Sequence, residues 1–283
     1  MNTNRTVATV APARTFDMGG IPIRQPLPSQ ELEYLDPFIL LHHGVMNVDP
    51  TMDLRHAGVG PHPHRGFAPV TFLFEGGLRH RDSRGNDSTV HAGGTQWMNA
   101  GMGVVHSERP VEHFNELIQL WVNTPAAHKL DQPSYYPLTK EETPSGTNAD
   151  GTVHFNVITG QMLGLNGPIP TLSPVNSITI QAEPGGAIFF PIPASHNAFL
   201  YLLSGSIQID EVGTVIEKNL VAFNNNGDGV GFTALEPTRA LLMTGEPLNE
   251  EIVTHGPFVM NDTTQILEAF RDYKMGKMGV LVE

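Results

Sequence analysis

Apolar residues in this chain fall in short alternating or β-branched runs, and long stripes of helical period are rare. Examples are VTFLF from Val70, LIQLWV from Leu117, SITI from Ser177, AIFF from Ala187, AFLYLL from Ala198, SIQI from Ser206 and ALLM from Ala240. A period of two puts successive side chains on opposite faces of a strand. The 29 Gly and 23 Pro of the 283 residues are spread between these runs. Short strands punctuated this often predict an all-β sandwich or barrel. One segment reads differently. Asp262 and Gln265 have the spacing of a capping box, and Ile266, Leu267, Phe270 and Tyr273 recur at helical intervals up to Gly276. They predict a short C-terminal helix whose apolar stripe docks on a sheet.

The strand runs also repeat. Val70–Gly76 is followed by Thr89-Val90 and Ala100–Val104, and Phe199–Gly205 is followed by Thr214-Val215 and Asn226–Val230. The polar, Pro- and Thr-rich stretch 129–151 lies between the two copies and reads as a linker. The expected organisation is two β-barrels packed side by side: residues 1–128, then the linker, then residues 152–283 with the terminal helix.

Chemistry-bearing residues concentrate in the first copy. GPHPHRGF, from Gly60, sets His62 and His64 two apart between prolines, just before a strand. GMGVVHSE, from Gly101, sets His106 and Glu108 two apart in the same way. Each pair shares one strand face, so two adjacent strands would bring three imidazoles and a carboxylate around one cation. Such a set suits Fe(II), Mn, Ni, Co or Zn and leaves positions open for substrate and dioxygen. In the second copy the aligned positions are Pro191, Pro193, Phe232 and Ala234. Only the first barrel is therefore expected to bind metal, at one ion per chain.

Composition narrows the alternatives. Cys is absent, which removes disulfides, thiolate ligands and Cys nucleophiles. A net charge of −13, with only 16 Lys and Arg and no basic run, argues against a nucleic-acid surface. No segment has signal-peptide character or the length to span a membrane, so a cytoplasmic location is the default. No phosphate-cradling Gly loop precedes a helix, and no hydrolase nucleophile elbow is visible.

Taken together, DPFILLHH from Asp36, PHPHRGFAPVTFLFEGGLRHRDSRGN from Pro61, QWMNAGMGVVHSE from Gln96, IQLWVN from Ile118 and THGPFVMN from Thr254 resemble the pirin family of the cupin superfamily. The resemblance runs from about Asp36 to the terminal helix. It implies a bicupin whose first barrel binds one metal, usually taken as iron, with Mn, Ni, Co, Cu or Zn as alternatives. The family's ligands fall on His62, His64, His106 and Glu108. Many cupins, and some pirins, carry a carboxylate four residues after the His-x-His; here that position is Ala68.

The resemblance further implies a quercetin 2,3-dioxygenase-like activity. A flavonol or related enolisable aromatic would bind through its hydroxyl, with Glu108 as general base, and dioxygen would open the heterocycle with loss of carbon monoxide. The other function it implies is non-catalytic regulation through a protein partner. The expected state is a monomer. Among the remaining histidines, His42 and His43 carry a weaker expectation of a supporting role. His80, in RHRDS, reads as a solvated or hydrogen-bonded surface residue, and Arg65 and Arg81-Asp82 read as strand-face ion pairs.

Overall fold

The computed structural model describes residues 2–210 and 212–283. They form two compact units, each built mainly from two antiparallel sheets with a two-stranded hairpin besides. One unit comprises Asp17–Ile23, Phe38–Lys140 and Leu248–Glu283. Its smaller sheet runs in the order Val59–His64, Val104–Pro110, Gly77–Asp82, Asp87–His91. The centre of its larger sheet runs Ser134–Leu138, Thr95–Asn99, Phe67–Glu75, Phe114–Asn123, Phe38–Asn47.

The other unit contains Glu141–Pro247, Arg24–Pro37 and the chain up to Phe16. Its smaller sheet runs Ala187–Pro191, Gly229–Ala234, Ser206–Ile209, Gly213–Ile216, which is the same order again. Its larger sheet contains Asn219–Phe223, Asn197–Ser204 and Thr238–Gly245 in the matching order. The internal repeat is therefore a repeat of topology. The fold is an all-β bicupin with one short C-terminal α-helix, and no helix among the described residues is long and apolar enough to cross a membrane.

The chain ends do not follow the boundaries expected from sequence. Val7–Pro12 pairs with Asn219–Phe223 and packs Val7 and Val10 against the core of the second barrel, so the first strand belongs with residues 152–247. The terminal helix Thr263–Lys274 belongs with the first barrel, where Ile266 and Ala269 pack with Val105, Phe258, Met260 and Met278. Its cap forms much as read: Asp262 accepts from the Gln265 N–H, and Gln265 Oε1 accepts from the Asn261 N–H. The buried stripe is Ile266 and Ala269, with Phe270 partly buried beside them, whereas Leu267 and Tyr273 are exposed.

The stretch 129–151 is also more ordered than a linker. Ser134–Leu138 pairs with Thr95–Asn99 in one unit, and Ser145–Thr147 with Val153–Thr159 in the other. Lys129 is buried and donates to Gly66 O, Asn123 Oδ1 and Val259 O. Burial lowers its pKa to about 8. Edge strands carry a polar, Pro-tolerant face, which is why the segment reads as loop in sequence.

Strand pairing shifts the alignment between the repeats. Pro110 pairs with Leu78 and Ala234 with Ile207, so Glu108 corresponds to Phe232 and His106 to Val230. His106 pairs with His62 and Val230 with Phe190, so His62 corresponds to Phe190 and His64 to Ile192. The expected Pro191 and Pro193 are exposed neighbours of the true equivalents, and Ala234 lies two residues further along. Phe190, Ile192, Val230 and Phe232 are all buried in the apolar core.

Candidate metal centre

The strand Val59–His64 alternates so that His62 and His64 point into the first barrel. Its exit turn depends on Gly66, at φ +84°, where a Cβ would lie 2.0 Å from the Val259 carbonyl oxygen. This close approach brings the Pro257 carbonyl to the His64 ring. On the neighbouring strand Val104–Pro110, His106 and Glu108 also face inward, with an irregularity in register between them.

Three of the four predicted residues come together. Imidazole nitrogens of His62, His64 and His106 lie within 4.8 Å of one another. Their outer hydrogen bonds fix which nitrogen faces the cluster. His62 Nδ1 is 2.8 Å from Gly60 O and His64 Nδ1 is 3.3 Å from Pro257 O. A carbonyl can only accept, so both rings carry hydrogen on Nδ1 and turn an Nε2 lone pair inward. His64 Nε2 is buried without a hydrogen-bond partner, and His62 Nε2 lies 3.0 Å from His106 Nε2.

Converging lone pairs in a buried site leave acceptors facing acceptors, an arrangement that a cation relieves. Burial, and next the neighbouring His62, hold His64 and His106 well below the ordinary imidazole pKa, so both are neutral and ready to ligate. The residues fit a divalent ion with nitrogen ligands.

Glu108 lies outside this triad of mutually close donor atoms but lines the same cavity. Its Oε1 accepts from Thr71 Oγ1 at 3.0 Å and its Oε2 from Gln119 Nε2 at 2.9 Å. Trp121 Nε1 donates in turn to Gln119 Oε1 at 3.4 Å, which orients the amide. Thr71 and Gln119 stand on the larger sheet and are register partners, so the carboxylate is held across the barrel. The remaining walls are mainly apolar, with Ile21, Ile23, Met46, Leu117 and Trp121 around a cavity of about 220 Å³. His42 also lines it, and burial lowers its pKa to about 4, so it adds no charge near neutral pH. His43 instead sits on the other side of its strand, 3.0 Å from Glu116 Oε1.

Two residues that matter here were misread in sequence. His80 is only 2% exposed, not a surface residue. Its Nε2 lies 3.1 Å from Asp82 Oδ2, its Nδ1 lies 3.4 Å from His106 Nδ1, and its ring stacks on Tyr135. Asp82 therefore points inward beside His80, while Arg81 faces outward to Asp87 at 3.7 Å. The His-x-Asp spacing was the available signal, because it repeats the same-face rule that picked out His62 and His64. Arg65 does form an ion pair, with Asp272 of the terminal helix at 3.1 Å.

Comparison with known proteins agrees with this architecture. The Pirin family profile matches residues 20–122 and that of the pirin C-terminal cupin domain matches residues 177–279. This chain belongs to the pirin family. Pirin-like protein 2 of Arabidopsis thaliana is 35% identical over 268 residues, covering 92% of this chain and 81% of that protein. Among solved structures, a quercetin 2,3-dioxygenase from Acinetobacter baumannii superposes with a TM-score of 0.92 at 32% identity, covering 99% of this pirin and all of that chain. A bacterial pirin from Escherichia coli, crystallised with nickel(II), shares the fold at a TM-score of 0.67 and 16% identity, covering 84% of this chain and 99% of its own.

Proposed function

We propose that this pirin is a metal-dependent dioxygenase, with iron the first candidate, that opens the heterocycle of a flavonol such as quercetin or a related enolisable aromatic. Both atoms of dioxygen enter the product and carbon monoxide leaves. The observation that carries this reading is a single cavity that combines His62, His64 and Glu108 with mainly apolar walls. The likeness to the Acinetobacter quercetin dioxygenase supports it.

His62, His64 and His106 would hold the ion through their Nε2 atoms, with Glu108 as a fourth ligand if its side chain turns toward them. A bound divalent ion supplies positive charge that favours the ionised form of a coordinated hydroxyl. Glu108 would accept the hydroxyl proton of the substrate. Each of its oxygens accepts one hydrogen bond and keeps a further lone pair. Thr71 and Gln119 hold the carboxylate in place, so little reorganisation is needed as the proton moves. Ile21, Ile23, Leu117 and Trp121 offer the flat, water-excluding contact that an aromatic ring system requires.

Oxygen uptake by iron-reconstituted protein with quercetin tests the reading, paired with Glu108→Gln. The variant should retain metal but lose about 10²- to 10⁴-fold in turnover, the range of a general base. The loss should shrink as pH rises toward the substrate's own ionisation, since a preformed anion needs no base. Parent-like turnover in Glu108→Gln near neutral pH would remove the base assignment. A metal-replete parent with no uptake on any phenolic would favour the regulatory function instead.

A further inference from the structure

The pair His80–Asp82 behind His106 has no part in the reaction above, yet it is buried and fully hydrogen-bonded. We propose that Asp82, acting through His80, fixes the tautomer of His106 and so controls whether the cluster can take a metal ion. The consequence for affinity rests on the metal reading given above; the tautomer assignment does not.

Asp82 accepts four hydrogen bonds: Oδ1 from the backbone N–H groups of Arg84 at 2.9 Å and Asn86 at 3.1 Å, and Oδ2 from Asn86 Nδ2 at 2.7 Å and His80 Nε2 at 3.1 Å. Burial alone would raise its pKa, but these donors outweigh burial and hold it below the ordinary value. An ionised carboxylate only accepts, so His80 carries its hydrogen on Nε2 and offers an Nδ1 lone pair. His106 Nδ1 is 3.4 Å from His80 Nδ1 and donates to its lone pair. The last link follows: His106 Nε2 is left bare, facing His62 Nε2. Tyr135, stacked 4.0 Å from the His80 ring and hydrogen-bonded to Ser88, keeps the ring in this plane.

The chain reverses in Asp82→Asn. The two backbone N–H groups demand an oxygen at the Oδ1 position, which forces the new amide NH2 to the Oδ2 position, opposite His80 Nε2. An NH2 there donates, so the His80 hydrogen moves to Nδ1. That N–H then faces His106 Nδ1, which must accept, and the His106 hydrogen moves to Nε2, where it blocks the ligand lone pair. The Asn86 amide, whose Nδ2 donates to the Oδ2 position in the parent, turns over to accept there. Side-chain volume is nearly unchanged, and three hydrogen bonds change direction: those of residue 82 with Asn86 and with His80, and that of His80 with His106.

Two-bond ¹⁵N–¹H NMR on the metal-free protein reads the tautomers, and titration with Zn(II) and Ni(II) reads affinity. The parent should show His80 protonated on Nε2. Asp82→Asn should show it on Nδ1, with affinity for both ions reduced about 10- to 100-fold, the usual cost of losing a partner behind a ligand. His80→Phe keeps the stack on Tyr135 but removes the acceptor, and should weaken metal binding even if Asp82→Asn does not fold. Parent-like affinity in His80→Phe, or in Asp82→Asn with a reversed His80 tautomer, would overturn the proposal, as would a parent His80 protonated on Nδ1. A parent with the expected His80 tautomer but no affinity for either ion would overturn the metal reading and leave the tautomer assignment standing.

Discussion

The two barrels share strand order and pairing yet fill four equivalent inward positions in opposite ways. The first carries His62, His64, His106 and Glu108; the second carries Phe190, Ile192, Val230 and Phe232. In the second barrel these side chains close a continuous apolar core, with Phe190 edge-on to Phe155. In the first they leave a cavity and a buried, unpartnered nitrogen on His64. A buried polar group without a partner costs about 1–3 kcal/mol. The same frame thus holds a strained polar cluster that a cation would relieve in the first barrel and uses the equivalent positions of the second for packing.

Exchanging the two fillings should give the largest effect. Phe190→His places an imidazole in a closed apolar core and should destabilise by about 3 kcal/mol or more, measured by denaturant unfolding. His62→Phe should abolish metal binding while leaving the metal-free protein as stable as the parent or more so, as removal of a functional polar group often does. Equal costs for both would break the comparison. So would two metal ions per chain at saturation, since the second barrel has no ligand at these positions.

Metal removal is expected to come next in size. At a free metal concentration 100 times Kd, loading should stabilise the fold by about 2.7 kcal/mol, and a chelator should reverse this in thermal unfolding. His62→Phe should show no response to either treatment.

The metal-free protein should also respond to pH, by a separate route. His64 and His106 are held well below the ordinary imidazole pKa, and His42 at about 4, in each case chiefly by burial. Below about pH 6.5 the unfolded chain takes up protons on these rings while the folded protein does not. Stability should therefore be complete above that pH and decline as the pH falls. Unfolding midpoints between pH 7 and pH 5 measure it, and a flat profile would mean that the rings are not buried neutral.

Much of this was legible in the chain. Period-two runs announced the strands, the repeat announced two barrels, and the same-face spacing of His62 with His64 and of His106 with Glu108 found the cavity. The same rule, applied to His80 and Asp82, would have found the pair behind His106. The charged neighbours Arg79 and Arg81 give the stretch a solvated look in sequence. In a strand those neighbours face the other way, and Arg79 indeed lies outside, paired with Asp87.

Alternation is a local property, so the sequence alone determined which side chains share a face, where turns interrupt the strands, and which barrel carries the clustered imidazoles. Pairing partners, by contrast, are set by contacts between residues far apart in the chain. Only the tertiary structure could place Val7–Pro12 on the second barrel and the terminal helix on the first. It alone corrected the alignment from Pro191 and Pro193 to Phe190 and Ile192, because a one-residue slip reverses every side chain of a strand. And it alone set Glu108 between Thr71 and Gln119, since that carboxylate's position depends on donors from the opposite sheet.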